Sequence, residues 1–311
     1  MIKQFTDALV ENIAQVVIGK EKVIKLALVA LLAEGHVLFE DVPGIGKTTL
    51  AKALARSLGC SFSRIQFTPD LLPSDVTGIS WYNQQTQNFE FRPGPIMGQI
   101  VLADEINRAT PRTQSSLLEA MQEQQITVDR KTYPLPRPFL VLATQNPIEL
   151  EGTFPLPEAQ MDRFLLRTKL GYPTEAQEND LLQRYARQDP MHQLESVTTP
   201  EEIIQMQEAV RQVQVDEQVR AYLVQVVRAT REHPAVDLGV SPRGALALYR
   251  ACQAWAAMQG RDFVLPDDIK ALTPAVLTHR IHISPQTRLR GRTPEEIIGE
   301  IVNQVPVPVF Q

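Results

Sequence analysis

Several features that would point elsewhere are scarce in this sequence. Only two cysteines occur in 311 residues, and Cys60 and Cys252 lie far apart, so neither a disulfide framework nor a zinc ribbon is supported. Long apolar runs are missing too: the longest, residues 26–33, sits between Lys25 and Glu34 and is too short to span a bilayer. The first residues carry Lys3, Asp7 and Glu11 instead of an apolar signal core, so a cytoplasmic rather than a secreted protein is expected. Positive charge is in deficit, with 31 Lys and Arg against 36 Asp and Glu and a net charge of −5. That balance argues against a chain coated for general nucleic-acid binding, although a local basic groove could still exist. No internal repeat or low-complexity tract is present. What remains, 43% hydrophobic and 22% charged, is the composition of a globular chain long enough for about two domains.

The chain opens with helical spacing, Phe5, Leu9, Ile13 and Val16 falling on one face. A break at Ile18-Gly19-Lys20 precedes a second helix over 22–33, and residues 36–40 read as a short buried strand ending at a Pro-Gly turn. Leu50, Leu54 and Leu58 place a helix over 48–58, and strand-like runs recur at 62–68, 100–103, 139–144 and 164–169. Strands alternating with helices predict an α/β fold with a mostly parallel sheet covered on both faces. Two stretches read as hairpin insertions. One is 79–91, closed by Arg92-Pro93-Gly94-Pro95; the other is 125–136, with a charged turn at Asp129-Arg130-Lys131. After Gly171-Tyr172-Pro173 the strand signal stops, and helices are expected at 175–188, 200–213, 217–232, 243–259 and 267–277. The shift divides the chain into an α/β domain, 1–172, and a helical domain, 173–311.

The strongest motif is Glu40-Asp41-Val42-Pro43-Gly44-Ile45-Gly46-Lys47-Thr48-Thr49, between a strand and a helix. A glycine-bearing turn lets successive backbone N–H groups point inward, and the following helix adds its positive dipole end, which together suit a phosphate. Lys47 would bridge the terminal phosphates and the Thr48 hydroxyl would bind Mg²⁺. The strict P-loop spacing wants glycine where Asp41 stands, so this is a variant of it; a dinucleotide fingerprint fits less well, because Thr49 occupies the place of its third glycine. Residues 100–103 then form an apolar strand ending in Asp104 and Glu105. Asp104 would hold Mg²⁺, and Glu105 would polarise an attacking water. The next strand ends in Ala143-Thr144-Gln145-Asn146-Pro147, where the uncharged amide of Asn146 could position that water.

With these residues assembled, the chain resembles the AAA+ ATPases, and within them the MoxR family, over essentially its whole length. The resemblance is carried by the phosphate loop, Asp104-Glu105-Ile106-Asn107-Arg108-Ala109, Leu117-Leu118-Glu119-Ala120-Met121 and Arg92-Pro93-Gly94-Pro95-Ile96. Ala143-Thr144-Gln145-Asn146-Pro147, Ala159-Gln160-Met161-Asp162-Arg163-Phe164 and Ser241-Pro242-Arg243 complete it. It implies a five-stranded parallel sheet with a helical lid, binding of ATP and Mg²⁺, and a homo-oligomer, a hexameric ring. Pro43, Gly44, Ile45, Gly46, Lys47, Thr48 and Thr49 would hold the nucleotide, and Val17, Ile18 and Gly19 would contact adenine, although those three could equally be a plain turn between helices. Asn146 would be sensor 1, Arg243 sensor 2 on either its own or a neighbour's nucleotide, and Arg163 an arginine finger reaching a neighbouring subunit. Arg108 is the other finger candidate, and a local ion pair with Asp162 is the alternative for Arg163. Both hairpins would face the ring's pore, where Trp81, Tyr82, Arg130 and Lys131 could grip a partner, or the two aromatics could pack the hairpin base.

The physiological work implied is chaperone-like remodelling or maturation (metal or cofactor insertion, complex assembly) of a partner protein, with a von Willebrand factor A domain protein and its client as partners and no membrane span. Two other readings use the same motifs: a ring motor acting on DNA, which the acidic balance disfavours, and a nucleotide-dependent scaffold with incidental hydrolysis. His279 and His282 could share a helix face but lack nearby acidic or thiol ligands, so they are taken as surface or lid residues. Arg288, Arg290 and Arg292 read as a solvated basic loop, and residues 305–309 as an extended tail.

Overall fold

Apolar runs decide the sheet. The computed structural model describes residues 1–147, 152–186 and 189–308, so that Gln188, the expected end of one helix, and Val309 of the tail lie outside the described residues. Along the chain the strands are β1 (Val37–Glu40), β2 (Phe62–Gln66), the hairpin β3 (Gly78–Asn83) and β4 (Asn88–Pro93), β5 (Ile100–Asp104), the hairpin β6 (Gln125–Val128) and β7 (Lys131–Pro134), β8 (Leu140–Gln145) and β9 (Leu166–Thr168). Five of them form one sheet in the order β2-β5-β8-β1-β9, every pair parallel. Val37, Phe39, Ile100, Leu102, Leu140 and Leu142 point to one face, and Leu38, Val101, Ala103, Val141 and Ala143 to the other, all buried. Continuous apolar strands are what a parallel sheet covered on both sides requires.

The first face is covered by α1 (Ile2–Ala14), α2 (Glu21–Leu32) and α3 (Lys47–Ser57). Of these, α2 is apolar on nearly every side, with Val23, Ile24 and Leu26 to Leu32 buried, because helices pack on its far side as well. The second face carries α4 (Pro73–Thr77) and α5 (Pro111–Glu123). The short α6 (Glu158–Met161) then leads into β9, which ends at Thr168. The later helices are α7 (Glu175–Tyr185), α8 (Pro200–Val210), α9 (Glu217–Glu232), α10 (Pro242–Met258), α11 (Pro266–Leu277), α12 (Pro285–Leu289) and α13 (Pro294–Gln304). The last sheet strand and α7 thus fall on either side of residue 172, but the apolar core is not interrupted there. Val226, Leu248, Leu272 and Ile298 belong to the same buried cluster as α2 and the sheet's first face.

Three local expectations need correction. The C-terminal half is not all-helical among the described residues: β10 (Val236–Leu238) pairs antiparallel with β11 (His282–Ile283), which is too short for alternation to register. His279 and His282 do not share a helix; His279 lies in a 3₁₀ turn, buried, with Nε2 3.2 Å from the Phe164 carbonyl. Pro285 opens α12, where Ser284 caps the helix and a proline at the first helical position costs no hydrogen bond. The first hairpin also runs from Gly78 to Pro93, taking in Arg92 and Pro93. Trp81 and Tyr82 are 43% and 49% exposed, and Tyr82 meets Phe89 edge-on across the hairpin. Phe91 stacks on Tyr133 at 4.1 Å between centroids, joining the two hairpins.

His36 supplies an acid-sensitive joint beside β1. Its Nδ1 accepts the Val141 N–H at 3.1 Å, so Nε2 carries the proton and donates to the Met121 carbonyl at 3.2 Å. Burial pushes its pKa down from 6.5 to about 4. The folded value lies below the unfolded one, so the unfolded chain binds the extra proton between these limits, and stability falls as pH drops from 6.5 towards 4, by about 3 kcal/mol over the window. Melting curves at pH 7 and pH 4.5 should show this loss, and His36→Gln should show less of it; identical acid losses would clear His36.

A nucleotide-shaped site at the strand carboxyl ends

The turn joining β1 to α3 is shaped by glycines that the geometry requires. Gly44 and Gly46 have φ of +84° and +94°, and a Cβ on either would project into open space, so backbone conformation rather than crowding selects them. Asp41, the departure from the strict P-loop, has a structural job. Its buried carboxylate accepts the backbone N–H of Leu170 and, at 3.3 Å, that of Gly171, tying the loop to the chain just beyond β9. Lys47 Nζ donates to the Asp41 carbonyl at 2.9 Å. Burial lowers the Lys47 pKa, while Asp104, Asp41 and Glu105 oppose that shift.

The acid pair emerges from β5 two strands away from β1. Thr144, at the end of the intervening β8, orients both acids: its hydroxyl donates to Asp104 Oδ1 at 2.7 Å and accepts the Glu105 N–H at 2.8 Å. Glu105 has φ +57°, a left-handed conformation uncommon outside glycine and asparagine, at the turn leaving the strand. Its Oε2 accepts Gln66 Nε2 at 2.9 Å and pairs with Arg108 Nε at 3.1 Å. Arg64 lies 2.7 Å from both Asp104 Oδ2 and Gln66 Oε1. Lys47, Thr48, Thr49, Asp104, Glu105 and Asn146 line one cavity of about 340 Å³ with Pro43, Gly44, Gly46, Arg64 and Gln66.

A second cavity, about 500 Å³, lies across the loop and shares Pro43, Gly44, Gly46 and Thr49 with the first. Its walls are more apolar: Val16, Val17, Ile18, Ile45, Tyr172, Pro173, Leu181 and Tyr185. A phosphate-like half and a base-like half therefore meet at the glycine loop. Gly19 is not part of the lining. It has φ +68°, and a Cβ there would fall 1.9 Å from Gln177 Nε2, so the glycine admits α7 instead.

Sequence reasoning missed Arg64, Gln66, Tyr172, Leu181 and Tyr185 as site residues. Arg64 and Gln66 sit two apart on β2, whose register sets Gln66 opposite Asp104, so strand order was needed to find them. Leu181 and Tyr185, one helical turn apart, were a readable signal.

Arg163 and Arg243 are in neither cavity. They line a third cleft, about 290 Å³, with Asp162, Arg250, Arg280 and Glu34 among the other walls. Arg163 does not pair with Asp162, whose carboxylate is held by Arg280 and Ser241; its buried Nε has no hydrogen-bond partner among the described residues. Arg243 donates to Gln122 Oε1 at 3.3 Å, and Arg108 is engaged by Glu105 of its own subunit.

The donor set suits Mg²⁺. A threonine hydroxyl and one carboxylate, Thr48 and Asp104, are hard oxygen ligands of the number that ion takes when phosphates and waters complete its shell. Among the described residues no helix is long and apolar enough to cross a membrane.

Comparison with known proteins agrees with this architecture. The model for the ATPase family associated with various cellular activities (AAA) matches residues 36–166, and that for the AAA lid domain matches 228–301. YeaC of Bacillus subtilis, an uncharacterized protein, is 54% identical over 300 residues, covering 96% of this chain and 94% of its own. The chaperone MoxR1 of Mycobacterium tuberculosis is 39% identical, over 96% of this chain and 81% of its own. A crystal structure from Cytophaga hutchinsonii, 37% identical, superposes with a TM-score of 0.93 over 99% of this chain and 96% of that one. The fold and the phosphate loop define an AAA+ nucleotide-binding module followed by its lid. Within that class, the chain belongs to the MoxR family of AAA+ ATPases.

Proposed function

We propose that this protein hydrolyses ATP to ADP and phosphate in an oligomeric ring, a hexamer, and uses the cycle for chaperone-like remodelling of a partner protein. The observation that carries the reading is the meeting of Lys47, Thr48, Asp104, Glu105 and Asn146 in one cavity at the strand carboxyl ends. Residues 1–172 act as the nucleotide module and 173–311 as its lid. The loop N–H groups and Lys47 bind the phosphates, and Val17, Ile18, Tyr172, Leu181 and Tyr185 enclose the base. Thr48 and Asp104 would hold Mg²⁺, which would supply positive charge against the phosphates. Glu105 takes the proton of the attacking water, with Gln66 and Arg108 fixing its carboxylate and Asn146 orienting the water.

Arg163 and Arg243 work on a neighbour's γ-phosphate, since both face a cleft separate from their own subunit's nucleotide. The partner is a von Willebrand factor A domain protein with its client, and the site of action is the cytoplasm; the name chaperone borne by a relative supports the remodelling role. Lys47→Ala tests the core of this. Loss of a charged phosphate contact should weaken binding of a fluorescent ADP analogue by roughly tenfold to a hundredfold. Unchanged affinity would remove the loop from nucleotide binding.

A further inference from the structure

Arg163 and Arg243, which face one cleft, come from different parts of the chain. Arg163 follows α6, on the segment entering β9, whereas Arg243 is in the first turn of α10, about eighty residues later. Between them lies Asp162. One of its carboxylate oxygens accepts Arg280 Nε at 2.7 Å, and the other accepts the Ser241 hydroxyl at 2.9 Å. Ser241 is the N-cap of α10, its Oγ also accepting the Gly244 N–H. A single carboxylate thus holds the residue before Arg163 and the cap two residues before Arg243.

Arg280 makes this joint stiff. It is buried, and besides Asp162 Oδ1 its guanidinium donates to the carbonyls of Asp162 at 3.2 Å, Phe164 at 2.6 Å, Leu165 at 3.0 Å and Val276. Every one of those carbonyls except Val276 flanks Arg163. From the other side α10 packs directly on Arg280: a Cβ on Gly244 would lie 2.8 Å from Arg280 Cδ. The guanidinium fork and the carboxylate together leave neither element free to turn alone.

We propose that Asp162, clamped by Arg280 and Ser241, is a positioning residue that locks Arg163 and Arg243 into one rigid unit, so that a subunit presents both guanidinium groups to its neighbour in a fixed relative geometry. The proposal rests on the reading that both arginines act in trans. It predicts that damage to the joint impairs a subunit as donor and leaves its own nucleotide site intact.

The test uses the full chain, assembled and checked for size. Asp162→Asn should lower turnover roughly tenfold to a hundredfold, the scale expected for an ångström-sized misplacement. Its affinity for a fluorescent ADP analogue should stay within about twofold of the parent, as for a change outside that site. Mixing with Glu105→Gln subunits, which keep an intact Asp162 joint, should restore hydrolysis at the Asp162→Asn subunits they adjoin. Because Asp162→Asn leaves Arg280 buried without its counter-charge and can unfold the lid, Ser241→Asp provides a second route. It retains an N-cap acceptor for α10 but sets a carboxylate against Asp162, whereas Ser241→Asn keeps both the cap and a donor. Loss of turnover in Ser241→Asp with near-parental activity in Ser241→Asn is expected. Parental turnover in a folded Ser241→Asp, or failure of the mixed ring to recover while Arg163→Ala does recover in the same mixture, overturns the proposal. If Arg163→Ala is itself not rescued, the trans reading beneath it falls instead.

Discussion

Glu105→Gln should bind ATP and hydrolyse it on the order of 10²- to 10⁴-fold more slowly, the range that a positioned general base contributes. The substitution is nearly isosteric, and its surroundings are built to keep the side chain in place. The amide oxygen can still accept from Gln66, and the backbone at φ +57° is held by the N–H bond to Thr144. What disappears is the ability to take a proton, together with the charge facing Arg108. Lys47 keeps Asp104 and Asp41 as the larger acidic influences on its charge, so phosphate binding should survive. Single-turnover phosphate release measured beside equilibrium binding of the ADP analogue separates the two effects. Near-parental turnover would remove Glu105 from the proposed role, and Gln66 would then be a strand-end contact without catalytic meaning.

The parts of the site that were legible in the sequence are those whose chemistry is written locally. The glycine-bearing turn needs its residues consecutively, because adjacent N–H groups converge only in that conformation; Asp104 and Glu105 are likewise neighbours at a strand end. Residues whose role depends on another strand or a distant segment were not legible. Arg64 and Gln66 matter because β2 pairs with β5 in a register that sets Gln66 beside Asp104, a fact of sheet order. Asp41 looked like a tolerated departure, yet its carboxylate serves the backbone of Leu170 and Gly171, far along the chain. The same holds for His279. Local spacing suggested a surface pair with His282, and only the packing of the segment after Leu277 against Phe164 buries it. Apolar runs marked all five sheet strands, most plainly β5 and β8, which are buried along nearly their whole length, but β10 and β11 are edge pieces with too few residues for any pattern.

Arg163→Ala should cost roughly 10³-fold or more in turnover, the magnitude associated with a guanidinium supplied to a phosphoryl-transfer site by a neighbouring protein. The expectation follows from placement. The Arg163 Nε is buried and without a hydrogen-bond partner among the described residues, while the side chain as a whole is only half-buried, so one donor is left for a ligand to complete. Asp162, the nearest candidate acid in sequence, is already committed to Arg280 and Ser241. The third cleft also holds Arg243 and Arg250, with Glu34 and Asp162 as its acidic lining, and Glu34 is itself paired with Arg137 and Arg211. Such a cleft favours an incoming polyanion, which in the proposed ring is the γ-phosphate of an adjoining subunit. Two features separate this account from an intradomain role. Affinity for nucleotide in dilute, unassembled protein should be unaffected, because Arg163 lies outside both nucleotide cavities. In mixed assemblies, Glu105→Gln subunits carry an intact Arg163 but cannot hydrolyse, while Arg163→Ala subunits carry an intact Glu105; where the first donates to the second, turnover should return. Mixtures of verified size that stay inactive at every ratio would place Arg163 in the structure of its own subunit.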